Sequence, residues 1–506
     1  MTGSRKYIGE RYLENWPAPG AGAPLVTAAY PNSYRTGMSN LGLHFVYSSL
    51  ASSGMFRVER YFYGDAPGRE RPVAVFFSVS YEEDLLNLVR MLVTLGIEPL
   101  REKRDGGPFV IAGGPVVSSN PVPFFPIADV LVAGEGEGTL PPVAEAVADN
   151  GTDRKALEER LAGIDGILMP GSIESTILPS PAAPELFQHS VILSPDTVFP
   201  DMILVEISRG CPGACAFCMA TSIYRPFRTM PLDVFESILE TALGPDGPAT
   251  GKVGLVSTAA AAHPEFTSMI RAARSRGVDV GLSSLRAVDI DAESAESIGN
   301  AGIRSVSLAP ESGSERMRIR LGKKVLDSAY FDAARLLRRS GVSRFTLYML
   351  AGLPGEDSDT FAETERFLAA FAEAAKGAHT AVNLNVLVPK PRTPLQFMAM
   401  PGRKELASSI ASMEAACRAS GTGISVKGQR SSMNQARIAL GGEAVGRAAV
   451  IFAAGRTSWK RALKDEGFDP DLIHAERGID QLMPWEEVFG SGGREALLQR
   501  YRSAIS

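Results

Sequence analysis

The sequence predicts an α/β chain made of two parallel sheets in succession: a doubly wound N-terminal sheet, then a partial TIM-type barrel of six β/α units. Three observations carry this. Apolar runs of strand length alternate with helical-period segments on both sides of residue 200. Glycine-rich turns follow several of those runs. A proline-rich stretch without sustained period separates the two alternating regions.

The first unit covers residues 1–150, with strands expected at 25–30, 73–78, 109–112 and 129–133. Pro72 suits the start of the second, where a missing N–H breaks no ladder bond. The segment 81–95 places Leu85, Leu88, Met91 and Leu92 on one helical face. The third and fourth strands run into Gly113-Gly114-Pro115 and Gly134-Glu135-Gly136-Glu137, at the carboxyl ends where such sheets bind ligands. Residues 151–200 read as an extended linker, with Pro170, Pro179, Pro181, Pro184, Pro195 and Pro200. The barrel covers 201–400, with strands at 202–208, 253–257, 278–283, 305–309, 345–351 and 382–388. Residues 401–506 hold one clear helix, on which Leu406, Ile410, Met413 and Cys417 form a buried face, and then a mixed region. There is no tandem repeat.

The length of 506 residues allows about three domains at ~150 residues each. Apolar content of 45%, charged content of 22% and a net charge of -5 are ordinary for a globular protein and give no global nucleic-acid or anionic-membrane signature. No apolar run is long enough to cross a bilayer, and the first residues lack a signal-peptide core, so a cytoplasmic protein with reduced cysteines is expected.

Three of the four cysteines, Cys211, Cys215 and Cys218, lie in one short loop after the first barrel strand. Three thiolates at this spacing can hold three irons of a 4Fe-4S cluster and leave the fourth open to a small molecule. A zinc site would need a fourth ligand at short range, and the nearest histidines in sequence are His189 and His263. With only Cys417 left over, a second three-cysteine cluster cannot be built.

The C-x3-C-x2-C run, with Phe217 before its last cysteine, resembles the radical S-adenosylmethionine (radical SAM) enzymes. The resemblance implies that a 4Fe-4S cluster on Cys211, Cys215 and Cys218 splits S-adenosylmethionine to a 5′-deoxyadenosyl radical, which takes a hydrogen atom from a substrate. The two glycine-rich turns of the first unit resemble the cobalamin-binding-type domain that often precedes such barrels. The D-x-H-x-x-G ligand loop of that domain is absent: the corresponding loop starts at Pro31-Asn32-Ser33-Tyr34, and His44 sits inside an expected helix. Cobalamin held by a histidine is therefore not expected; binding without that ligand, or a sheet that only positions substrate, stays open.

The same resemblance implies cofactor contacts at strand ends. Ser257 lies where backbone meets the methionine amine, although the acidic residue common there is missing. Glu311 and Ser312 resemble a ribose-contacting turn; a carboxylate suits two vicinal hydroxyls, and a rim salt bridge is the alternative. Gly352 and Gly355, in Gly-Leu-Pro-Gly-Glu, resemble an adenine-side turn or are a plain strand-to-helix turn. Arg286 suits a carboxylate or a surface ion pair. Arg316, Arg318, Arg320, Lys323 and Lys324 form a basic run that suits phosphates or, more simply, a solvated helix face. The chain is thus expected to be a radical SAM enzyme acting on RNA, protein or a metabolite, with a flavodoxin- or ferredoxin-type reductant. The alternatives are a cobalamin-dependent methyltransferase without a histidine ligand, and a non-catalytic iron–sulfur sensor.

Overall fold

The computed structural model describes residues 7–505 apart from 152, 172–177, 179, 245–250 and 456. The signal-peptide reading rests mostly on residues 1–6, and one linker proline is Pro179; both lie outside the described residues. The N-terminal sheet contains β1 (Leu25–Tyr30), β2 (Arg57–Phe62), β3 (Ala74–Ser78), β4 (Phe109–Gly113), β5 (Val130–Val132) and β6 (Ile167–Leu168). Their order is β2-β1-β3-β4-β5-β6, parallel throughout except for the β5–β6 pair. This is the flavodoxin-like order, and its switch point lies between β1 and β3. All of β1 and β3 is buried, as a strand covered on both faces requires. Helices α1 (Leu41–Ser52) and α3 (Gly136–Asn150) cover one face, and α2 (Asp84–Thr94) packs on the other.

Two elements depart from the expectation. Strand β2, RVERYF, is absent from the sequence reading because half its residues are charged; it is an edge strand with one wet side. Residues 154–168, read as part of an extended linker, instead form α4 (Arg154–Leu161) and β6. Burial of Leu157 and Leu161 against the sheet stabilises a helix too short to show a clear period.

The second sheet contains β7 (Ile203–Glu206), β8 (Lys252–Val256), β9 (Asp279–Leu282), β10 (Ser305–Glu311), β11 (Arg344–Ala351) and β12 (His379–Val386), followed by β13 (Gly423–Val426). β7-β8-β9 and β10-β11-β12-β13 are parallel runs in sequence order, joined by a bridge between Leu285 and Leu308. Among the described residues no pairing joins β13 to β7. β13 is a seventh strand beyond the six expected units. In β11 the buried residues alternate: Phe345, Leu347, Met349 and Ala351 face the helices, and Thr346, Tyr348 and Leu350 face the lumen.

Helix α5 (Arg403–Ala419) carries the predicted buried face, including Cys417 at 0% exposure. Helices α6 (Glu443–Ala453) and α7 (Trp459–Asp465) then return to the N-terminal sheet and pack beside α2. The last helix, α8 (Arg494–Ile505), packs instead under the cysteine loop: Leu498, Tyr501 and Ala504 share a core with Ala216, Leu321 and Phe397. The C-terminal region thus ties both sheets together. The loop after β12 does the same, with Arg392 Nη1 donating to Ser118 O at 2.9 Å and Lys390 Nζ 2.5 Å from Glu82.

Candidate functional site: cysteine loop and inter-sheet cavity

The carboxyl ends of the two sheets face each other across a cavity of about 630 Å³. Its wall takes Phe45, Phe76 and Val132 from the N-terminal half and Met202, Leu204 and Leu255 from the barrel, so it is mostly apolar. Both glycine-rich turns, at Gly113-Gly114 and Gly134–Glu137, reach it, as does Ser257 at the end of β8. This is the position at which a flavodoxin-like switch point and a barrel mouth each bind ligands.

The cysteine loop leaves β7 at one edge of this cavity. Its entry is fixed by Gly210, at φ +81°, where an added Cβ would lie 2.2 Å from the Tyr224 carbonyl oxygen; only glycine fits. Thr258 Oγ1 donates to the Gly210 carbonyl, and Ser257 Oγ lies 2.5 Å from Ser208 Oγ. On the far side Ala216 N donates to Leu321 O at 2.8 Å, Leu395 N donates to Ala216 O at 3.1 Å, and Arg500 Nη2 donates to Ala214 O at 2.6 Å. The loop is therefore held by β8, by the turn after β10, and by α8.

Burial pushes the Cys215 thiol up to about 11, with Lys323 pulling against it and the neighbouring thiols Cys218 and Cys211 adding to it. Burial also raises Cys218, opposed by the nearby Ala220 and Thr221 backbone amides. Gly213 N donates to Cys211 Sγ at 3.4 Å. These thiols sense one another, yet among the described residues no three Cys, His, Asp or Glu side chains converge on a point that one ion could occupy. A single tetrahedral ion needs every sulfur at about 2.3 Å. Three thiols that share one loop and interact electrostatically, with an N–H donor on Cys211 Sγ, suit a cluster that would spread its irons among them.

Glu311 ends β10 at a bulge, with φ +66°, and its carboxylate accepts from Lys323 Nζ at 3.1 Å. Both side chains are largely buried, and Lys323 faces Cys215 electrostatically. The structure thus gathers Glu311 and Lys323 beside the cysteine loop. Ser312 is buried next to them, its carbonyl accepting from Arg318. Arg286 pairs with Asp289 at 3.5 Å, and neither lines the inter-sheet cavity. The Gly352 N–H is taken by Glu356 Oε2 at 3.0 Å, and the 352–355 turn opens on a separate cavity of about 610 Å³ with Met398, Glu476 and Tyr501.

The basic run is a solvated face only in part: Arg316 and Lys324 are exposed, and the rest turns inward. Arg318 is fully buried, bonded to Val325 O, Ser312 O and Asp327, and lies over Tyr330. Arg320 donates to Ala504 O, and Arg316 pairs with Asp357. His44 is buried too: its Nε2 lies 3.1 Å from Met38 O, and its Nδ1 accepts from Val191 N.

Sequence reasoning missed a charged set in the cavity wall. Arg209, two residues before Cys211, reaches Glu135 at 2.9 Å, Glu137 at 2.7 Å and Glu206 at 2.7 Å. Arg228 Nη1 also donates to Glu135 Oε2 at 2.9 Å. The Gly-Glu-Gly-Glu turn was visible; the arginines that answer it lie more than 70 residues away.

Two family models match the chain: "Radical SAM superfamily" over residues 205–368 and "Radical SAM proteins, N-terminal" over residues 71–170. The chain is a radical SAM enzyme, of the kind that carries an N-terminal sheet domain before the barrel. Its family uses a 4Fe-4S cluster and S-adenosylmethionine. An uncharacterised protein of Methanocaldococcus jannaschii is 27% identical over 371 residues, covering 73% of this chain and 78% of that protein. A 2-(S-pantetheinyl)-carbapenam-3-carboxylate methyltransferase of Streptantibioticus cattleyicolor is 34% identical over 130 residues, covering 24% of this chain and 19% of that protein. Among solved structures, the radical S-adenosylmethionine methyltransferase TsrM of Kitasatospora setae, with cobalamin and a 4Fe-4S cluster bound, shares the fold at a TM-score of 0.53 and 16% identity, over 74% of this chain and 77% of that one. No helix among the described residues is long and apolar enough to cross a membrane.

Proposed function

We propose that the protein generates a 5′-deoxyadenosyl radical at the cysteine loop and uses it to take a hydrogen atom from a substrate held in the inter-sheet cavity. The observation that carries this is the shared wall: Ser208, Arg209 and Gly210, which lead into Cys211, line the same cavity as both glycine-rich turns. Cys211, Cys215 and Cys218 would hold a 4Fe-4S cluster, which would supply one-electron reductive cleavage of S-adenosylmethionine to methionine and the radical, the electron coming from an external flavodoxin- or ferredoxin-type donor. The chain's own residues orient and shield. Gly210 and the Arg500 contact fix the loop, Glu311 offers acceptors for ribose hydroxyls, Ser257 offers a small-residue wall, and the apolar lining excludes water from a reactive radical. Ser312, beside Glu311, is a further proposed cofactor contact, while Arg286, paired with Asp289, and the Gly352–Gly355 turn, on a separate cavity, stand outside this part of the site. Substrate bound there is RNA, protein or metabolite, and reduced thiols suit a cytoplasmic setting.

The test is anaerobic reconstitution with dithionite and S-adenosylmethionine, followed by mass spectrometry for 5′-deoxyadenosine. Its formation, lost in Cys215→Ala, supports the reading; retained formation in that variant overturns it.

A second reading is methyl transfer through a corrinoid in the same cavity. The flavodoxin-like strand order and the size of the cavity favour it. No histidine lines the wall, so the corrinoid would bind without an imidazole from the described residues. Hydroxocobalamin that co-elutes with the protein on gel filtration, with its visible spectrum unchanged in His44→Gln, supports this reading; free elution removes it.

A further inference from the structure

The cavity wall holds one carboxylate more than its guanidinium partners, an excess that the amino-terminal dipole of α3, in whose first turn Glu137 lies, offsets only in part. Glu135, Glu137 and Glu206 meet only two guanidinium groups, those of Arg209 and Arg228. All five side chains are at most 16% exposed. A buried charge in excess is costly unless something pairs with it. Most of the carboxylate oxygens are occupied. Glu206 uses both on the Arg209 fork, and Glu135 uses both on Arg209, Arg228 and the Ala182 N–H. Glu137 is different. Its Oε1 accepts from Arg209 and Gln188, while its Oε2 has no partner among the described residues. The Glu137 side chain is only 7% exposed, and it faces the cavity. Tyr224 lines the same wall, its hydroxyl has no hydrogen-bond partner among the described residues, and it lies within electrostatic reach of Arg209 and the three carboxylates.

We propose that Glu137, assisted by the Tyr224 hydroxyl, binds the protonated amine of a ligand whose apolar body fills the rest of the cavity. This names a ligand class for the site and rests on the reading that the cavity is where substrate and cofactor meet. An ammonium supplies both the missing positive charge and an N–H for the open oxygen; a neutral hydroxyl supplies no charge, and a carboxylate would add to the excess. Two ligands bear such a nitrogen: S-adenosylmethionine itself, on its methionine moiety, and a separate amine-bearing substrate.

The experiment measures binding on the reconstituted protein by calorimetry and by thermal shift. One probe pair is S-adenosylmethionine and its deamino analogue, S-adenosyl-4-methylthiobutyrate, which keeps the sulfonium and the carboxylate and lacks only the amine. The other is 2-phenylethylamine and 2-phenylethanol. Glu137→Gln removes the excess charge and keeps the shape, so its fold is retained; Glu137→Asp keeps the charge. In Glu137→Gln, the affinity for an ammonium probe falls about ten- to hundredfold, while its amine-free partner binds as before. Loss confined to S-adenosylmethionine assigns the nitrogen to the cofactor, and loss confined to 2-phenylethylamine assigns it to the substrate. Equal affinity of wild type and Glu137→Gln for both ammonium probes, or failure of both to bind the wild type, overturns the proposal. Because the readout is binding, that result differs from absence of 5′-deoxyadenosine in the wild type, which would sink the radical reading instead.

Discussion

The Lys323 ammonium lies 3.1 Å from the Glu311 carboxylate, and Glu311 holds that position with a left-handed backbone at φ +66°. For a residue with a side chain this conformation costs roughly 1–2 kcal/mol and persists only where its surroundings demand it. The bulge at the end of β10 turns Glu311 toward the cysteine loop, and Lys323 holds it there. Lys323→Met leaves a largely buried carboxylate without a partner. Its expected cost is about 3 kcal/mol in urea unfolding, with part of that recovered in the double variant Lys323→Met, Glu311→Gln.

His44 makes folding stability fall in acid. Burial depresses its imidazole to about 4, against an ordinary value of 6.5. Between those values the unfolded chain binds a proton that the folded chain refuses, so stability rises with pH and is lost as pH falls through this window. From neutrality to about pH 5 the loss from this residue is about 2 kcal/mol. Urea midpoints at the two pH values should converge in His44→Gln, relative to wild type.

Arg318 is a structural residue. Its guanidinium bonds two carbonyls and Asp327 while lying over Tyr330 and Phe367. Arg318→Ala strands the two carbonyls in a dry site, while Asp327, 38% exposed, regains water, at an expected cost of about 2–4 kcal/mol. Arg318→Lys restores little of it, because one ammonium cannot match the fork. Thermal unfolding of the two variants measures both effects.

Arg500 has a local role. It donates to the Ala214 carbonyl at 2.6 Å, in the loop between Cys211 and Cys215. Arg500→Ala should leave the global unfolding midpoint within about 1 kcal/mol of wild type, since the contact is exposed. The loop it ties down should hold iron less well, so iron released to a chelator under anaerobic conditions should appear several times faster.

The cysteine loop and most strands were legible because each is a local pattern. The spacing of Cys211, Cys215 and Cys218 states its chemistry within eight residues, and runs such as LVTAAY are apolar enough to stand alone. Strand β2 escaped because its edge position lets it stay charged, and α4 with β6 escaped because only packing on the sheet stabilises them. The basic run shows the same limit from the other side. Arg318 sits among charged neighbours in sequence, and its burial depends on carbonyls at Ser312 and Val325 that the chain folds around it.

The sequence by itself determined the kind of chemistry and the succession of two parallel sheets, because thiolate spacing and strand periodicity are short-range properties. Tertiary structure alone decided how those sheets face each other, and so where the cavity lies. It also decided that Arg209 meets Glu135 and Glu137, and that the final helix supports the cysteine loop. Those relationships join residues 72 to 286 positions apart. Closing loops of that length is driven by burial of whole faces against one another, and no local pattern in the chain records which charges will then be left to pair.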